Sequence, residues 1–143
     1  PLRFIASRSE FQKLTNAEHP KHALDAFWLA CGDSPEAARD LLTTFYERVE
    51  EANLSFSGIV EGWRTDRGMA HIIFGVSQRI RRDSRNEYWI YGEEGTANAL
   101  TFQFRKRSYS FDSNAYELQR SIQFRSVWDR GVSNWRNGRV RGD

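Results

Sequence analysis

Gly62-Trp63-Arg64-Thr65-Asp66-Arg67-Gly68, followed by Met69-Ala70-His71-Ile72-Ile73-Phe74-Gly75, is the stretch at which the hydrophobic period of this chain changes. Upstream of it the apolar residues recur at helical spacing, and downstream they fall in short runs and alternations. The run 69–74 reads as a strand. The expected class is therefore α+β: N-terminal helices, a small three-stranded antiparallel sheet and a C-terminal helix, in one domain over 1–143.

Working upstream, Leu24, Phe27, Trp28 and Cys31 keep helical spacing over 20–31, and Gly32 can supply the left-handed residue that ends the helix. Ser34 is a good N-cap, with Pro35 at the first helical position and Glu36 in the first turn. The stripe Ala38, Leu41, Leu42, Phe45, Val49 and Ala52 carries this second helix to about residue 53. Working downstream, 69–74, 87–91 and 100–105 read as three strands, and in the last Leu100, Phe102 and Phe104 alternate with Thr101, Gln103 and Arg105. Gly92 and Gly95 predict a hairpin between the second and third. The polar segment 75–86 reads as a long surface loop. From Asp112 or Ser113 to about 137 the period is helical again, with Phe124, Trp128, Val132 and Trp135 on one face and Leu118 and Ile122 on a second. Gly131 marks a point for a break or kink.

The chain has 143 residues, the length of one domain. Leu, Ile, Val and Phe together number 32, about 22%, close to the roughly 20% below which chains tend to disorder. Ten Phe, five Tyr and five Trp supply the missing core, because each ring can bury on the order of 150–250 Å². No apolar run approaches the roughly 20 residues of a transmembrane helix. Charge is uneven: residues 1–61 carry 6 basic against 10 acidic side chains, and residues 62–143 carry 15 against 9. Of the 21 basic residues 18 are Arg, which favours planar, bidentate and stacking contacts. Cys31 is the only cysteine, so no intrachain disulfide forms, and its apolar helix face predicts a buried, inert thiol.

Two readings of the block 62–68 compete. In the structural one Gly62 and Gly68 adopt unusual backbone angles, Trp63 plugs the gap between helix and sheet, Thr65 and Asp66 bond nearby backbone N–H groups, and Arg67 pairs with Asp66 or Glu61. In the functional one Trp63, Thr65, Asp66, Arg67 and His71 line a ligand cleft, small-molecule or hydrolytic. The chemistry for an enzyme is thin. His19, His22 and His71 have no metal-ligand spacing, and Ser55, Ser57 and Ser77 lack a nucleophile-elbow setting. Glu93 and Glu94 are adjacent and point to opposite faces, and no Gly-rich phosphate loop is present. No catalytic residue, metal or cofactor is assigned, and the balance is against an enzyme. A second candidate is an interaction face of Arg79, Arg81, Arg82, Arg85, Tyr88, Trp89 and Tyr91. Arginines with aromatic neighbours suit a protein or a polyanionic glycan; nucleic acid is the weaker reading, because Asp83, Glu87, Glu93 and Glu94 are interleaved. The closing Arg141-Gly142-Asp143 is taken as a chance match to an integrin-binding tripeptide.

The block GWRTDRG looks like the signature of the GWxTD domain family of bacterial proteins, and the likeness runs through nearly the whole chain. FWLACGDSPEAARDLLTTFYERVEEANLSFS resembles the family's helical lead-in, MAHIIFG its strand ending in Gly, EYWIYG its second strand and YELQRSIQFRSVWDRGVSNWRNGRV its closing segment. Val76-Ser77 departs from the Pro-bearing turn of many relatives. The family has no assigned activity, so no catalytic residue carries over. Its domains usually sit in longer, often exported proteins of the cell envelope. The resemblance thus implies that this chain, beginning at Pro1, is a domain cut from a longer extracytoplasmic or periplasmic protein.

Overall fold

The computed structural model describes residues 1–108 and 111–140; Arg141-Gly142-Asp143 lies outside them. Helices α1 (Arg8–Thr15), α2 (Pro20–Cys31) and α3 (Pro35–Phe56) precede a 3-10 turn at Gly62–Arg64 and helix α4 (Asp66–Phe74). Strands β1 (Arg79–Arg82), β2 (Asn86–Tyr91), β3 (Leu100–Lys106) and β4 (Tyr116–Leu118) follow, and helix α5 (Phe124–Arg136) closes the described chain. The class is α+β, as expected. Among the described residues the sheet has four strands rather than three, an antiparallel meander in the order β1-β2-β3-β4.

The chain forms two compact units, residues 1–47 with 125–143 and residues 48–124. In the first, the aromatic residues make the core that the aliphatics could not. Phe45 packs edge-on to Trp135 at 5.3 Å and lies 5.5 Å from Trp28, and all three rings are buried. Arg136 ties this unit to its own N-terminus: it donates to the Ile5 carbonyl at 3.1 Å, lies 2.7 Å from Glu10 and covers the Phe27 ring. The helix starts follow their caps. Ser7 accepts from the Glu10 N–H and Glu10 reaches back to the Ser7 N–H, a capping box. Ser34 accepts from the Ala37 N–H at the head of α3. Gly32 ends α2 in an extended conformation, not a left-handed one; a Cβ there would sit 2.7 Å from the Ala38 nitrogen. Cys31 is buried, and burial raises its thiol pKa. Helix α5 runs unbroken through Gly131, which is buried, so the expected kink is absent.

In the second unit three expectations are corrected. Residues 69–74 are not a strand but the body of α4. Thr65 caps that helix, and its Arg67, Gly68, Ala70, His71, Ile72 and Ile73 are all buried. A short apolar run packed on all sides lacks the polar stripe that marks a helix, so its period is ambiguous. The loop 75–86 contains β1, whose four residues are all exposed and show no alternation; pairing with β2 and an Asp83 side chain accepting from the Arg85 and Asn86 N–H groups define it. Asp112 starts no helix. It accepts from the Asn114 and Ile59 N–H groups, and Leu118 of the expected helix face lies buried in β4, while Ile122 is fully exposed. The β2–β3 hairpin is as expected, with Trp89 opposite Phe102 and Glu87 opposite Phe104.

The two motif glycines have ordinary backbone angles, since the described positive-φ residues are Gly75, Gly92, Gly95 and Gly138. Space requires them instead: a Cβ on Gly62 would lie 1.9 Å from the Ala52 carbonyl oxygen of α3, and one on Gly68 only 1.8 Å from the Gly62 carbonyl oxygen. Helix propensity alone would make Gly68→Ala stabilising by about 1 kcal/mol. We expect the opposite sign, a loss of about 3 kcal/mol or more from overpacking against backbone. Urea unfolding of the variant checks this, and a gain in stability would contradict the close approach.

Candidate functional site

The junction between α3 and α4 is built from short-range bonds. The Gly62 N–H donates to Ser57 Oγ at 2.8 Å, and the Trp63 N–H to Asn53 Oδ1 at 3.0 Å. Thr65 Oγ1 accepts from the Gly68 N–H and donates to the Gly62 carbonyl at 2.7 Å. Asp66 Oδ2 reaches across to accept from the Leu118 N–H of β4 at 2.7 Å. The pairings expected for the arginines are not those found. Glu61 pairs with Arg64 at 2.7 Å, and Arg67 turns inward. Trp63 is half-buried, with the Arg64 guanidinium 5.0 Å from its ring, so it is not the core plug expected.

Arg67 is buried between the Phe56 ring of α3, 4.8 Å from its guanidinium, and the Tyr116 ring of β4, 4.1 Å away. Its Nη1 lies 3.4 Å from Glu87 Oε2, and its Nη2 donates to Asn114 Oδ1 at 2.9 Å; Asn114 in turn donates to the Ser57 carbonyl. Glu87, also buried, accepts from Trp89 Nε1 at 2.7 Å and from Arg82 Nε at 3.0 Å. Burial disfavours the charged form of Glu87, but the Trp89 and Arg82 hydrogen bonds and the Arg67 charge together outweigh it, leaving its pKa below the ordinary value. Burial also lowers the Arg67 pKa, against the opposing pull of Glu87. His71 faces α3, its Nε2 2.7 Å from Glu51 Oε2 and its ring 6.2 Å from Phe56.

Beside the junction an open groove of about 750 Å³ runs along β4, lined by Ile59, Val60, Arg64, Asp66, Glu117 and Arg120 among others. Of the cleft residues expected from the motif, the structure brings Thr65 and Asp66 to this groove, and Trp63, Arg67 and His71 do not line it. Arg120 Nη2 stands 3.9 Å from Asp66 Oδ1. Arg64, Arg120 and the exposed pair Ile59-Val60 lie outside the expected cleft, although an apolar pair inside the turn-rich segment between Gly58 and Gly62 is a legible oddity.

The expected interaction face is divided between two sides of the sheet. By strand alternation and register, Arg79, Arg81, Tyr88 and Ile90 share the outer face with Thr101, Gln103 and Arg105. Arg82, Trp89 and Tyr91 point the other way: Trp89 is buried against Phe56 and Phe104, and Tyr91 donates its hydroxyl hydrogen bond to the Gly75 carbonyl. Arg85 sits on the β1–β2 turn. Glu94, from the β2–β3 loop, folds back so that its Oε2 accepts from both Arg79 Nη1, at 3.0 Å, and Arg81 Nη2. Among the described residues no group of three or more His, Cys, Asp or Glu side chains could hold a metal ion, and no helix is long and apolar enough to cross a membrane.

The family model of the GWxTD domain matches residues 1–137. The chain belongs to the GWxTD domain family. No curated protein and no solved structure matches it. Within this GWxTD domain the signature residues are those just described: Gly62 against α3, Trp63 under Arg64, Thr65 capping α4 and Asp66 bonded to the β4 edge.

Removing one partner of the buried pair leaves the other charge desolvated. Arg67→Met is expected to cost about 3–5 kcal/mol in urea unfolding. Because the folded-state pKa of Glu87 is depressed, its contribution to stability is present above its unfolded value of about 4.3 and is lost as pH falls through the lower folded value. Glu87→Gln should therefore be less stable at pH 7 and show a flatter loss of stability below about pH 4.5. An unchanged acid limb would remove Glu87 from that role.

Proposed function

We propose that this GWxTD domain is a non-catalytic binding module of a bacterial cell-envelope protein, located outside the cytoplasm, whose partner is a protein or surface polymer. The observation that carries this reading is that Thr65, Asp66 and Arg67, the reactive-looking side chains of the signature, are each engaged with internal partners. The signature then works as a structural junction, and recognition falls to exposed surface. The outer sheet face, with exposed Arg79, Arg81 and Arg105 around the half-buried Tyr88, is the contact surface we assign. Arginine and tyrosine are side chains enriched at protein interfaces.

A second reading, a small-ligand or hydrolytic site in the groove beside Asp66, draws on the groove's volume of about 750 Å³, which lies in the range of small-molecule sites. Stability and binding assays separate the two. Under the junction reading Asp66→Ala loses a part-buried hydrogen bond to a charged group and should cost about 1.5 kcal/mol. Under the ligand-site reading the same variant is neutral in stability. The domain should sediment with isolated envelopes of its source organism and lose that retention in an Arg79→Gln/Arg81→Gln variant of unchanged melting temperature. No retention of the unaltered domain would overturn the reading of an envelope partner. Mixed oligonucleotides are expected not to bind at low salt, where any phosphate-driven affinity is strongest.

A further inference from the structure

Strand β1 is one edge of the sheet, and all four of its residues are exposed. An edge strand presents a row of backbone N–H and C=O groups that can template another strand, and charged side chains are the usual guard against unwanted pairing. The guard here is Arg79-Ile80-Arg81-Arg82, cationic on both faces. Antiparallel pairing of β1 with a second copy of itself would set arginine against arginine across the new ladder, which is repulsive. The same ladder with an acidic strand would set carboxylates against guanidiniums.

The chain already shows what those guanidiniums hold. Glu94 Oε2 is shared by Arg79 and Arg81, and the loop that carries it is tied down by Gln78, which accepts from the Gly92 N–H at 2.8 Å, and by Thr96, which donates to the Glu93 carbonyl at 2.7 Å. Beside this ion pair lies a recess of about 310 Å³ lined by Arg81, Tyr88, Ile90 and Thr101, with Arg82 and the acidic Asp83 and Glu94 also on its wall. Arg79 and Arg81 are two residues apart in an extended strand, about 6.6–6.8 Å. One carboxylate spans both in the free domain. An extended peptide with acidic residues at alternate positions repeats at that same spacing, so each arginine would face its own carboxylate.

Resting on the reading of this face as the contact surface, we propose that the β1 edge binds an extended acidic peptide as a fifth strand, its alternate carboxylates taking Arg79 and Arg81 from Glu94. Glu94 is then an intramolecular competitor that occupies the site until the partner displaces it. The backbone of the incoming strand supplies affinity, and the two-residue repeat of charge supplies specificity.

The test uses a fluorescein-labelled peptide of about eight residues alternating Glu and Thr, a control with the same composition and its glutamates in one block, and polyphosphate of matched charge, each titrated by anisotropy at low salt. The alternating peptide should bind the full chain and lose about tenfold in affinity in Arg79→Gln/Arg81→Gln, because two exposed pairs are removed. It should gain about threefold in Glu94→Gln, with melting temperatures unchanged in both variants. No binding of the alternating peptide, equal binding of the blocked peptide or polyphosphate, or an affinity indifferent to Glu94→Gln would overturn the proposal. Envelope retention that depends on Arg79 and Arg81 without peptide binding would sink the acidic strand and leave the binding module standing. Peptide binding with the expected pattern but no envelope retention would support the acidic strand and remove the envelope partner.

Discussion

One buried guanidinium joins four elements of the second unit. Arg67 lies between two aromatic rings, Phe56 and Tyr116, and reaches Glu87 of β2 and Asn114 of the loop before β4. Helices α3 and α4, strand β2 and the β4 approach therefore meet on one side chain. Burying that charge is costly in isolation, and the arrangement is tolerable only because Glu87 offsets it and is itself satisfied by Trp89 and Arg82. Such a network specifies one arrangement of its members more than it adds net stability, since two well-packed apolar side chains could fill the same space.

Around that network the signature residues perform two geometric tasks. Gly62 and Gly68 remove side chains where backbone meets backbone, which lets the first turn of α4 sit directly on the preceding 3-10 turn. Thr65 and Asp66 then use the N-terminus of α4, Thr65 to cap it and Asp66 to take the outward N–H of Leu118 on the β4 edge. One end of the sheet is thereby covered from within. The other end, β1, has arginines in place of a covering element, so the two edges differ in what they can admit.

Legibility in the sequence followed the strength of each local signal. The α2 and α3 helices and the β2–β3 hairpin were readable because caps, stripes and turn glycines agreed with one another. Helix α1 carries its own local signal, the Ser7 to Glu10 capping box. Helix α4 is not legible as a helix, because an apolar run buried on nearly every side has no polar stripe to show its period. Strand β1 was invisible for the opposite reason, as both of its faces are exposed and polar. At the site, the inward turn of Arg67 was not readable, since its partner Glu87 lies 20 residues away and stands in a strand otherwise rich in aromatics.

The sequence by itself determined the class, the family, the aromatic nature of the core and the place of the junction, because composition, caps and a contiguous motif are local properties of the chain. Only the tertiary structure decided that Arg48 and Arg67 are buried while Arg79 and Arg81 are offered to solvent, and which rings of Tyr88, Trp89 and Tyr91 face outward. Those outcomes depend on strand register and on helix-to-sheet packing, where a shift of one residue exchanges the two faces of a strand. The described arginines could not be sorted into core and surface until their partners in the fold were in place.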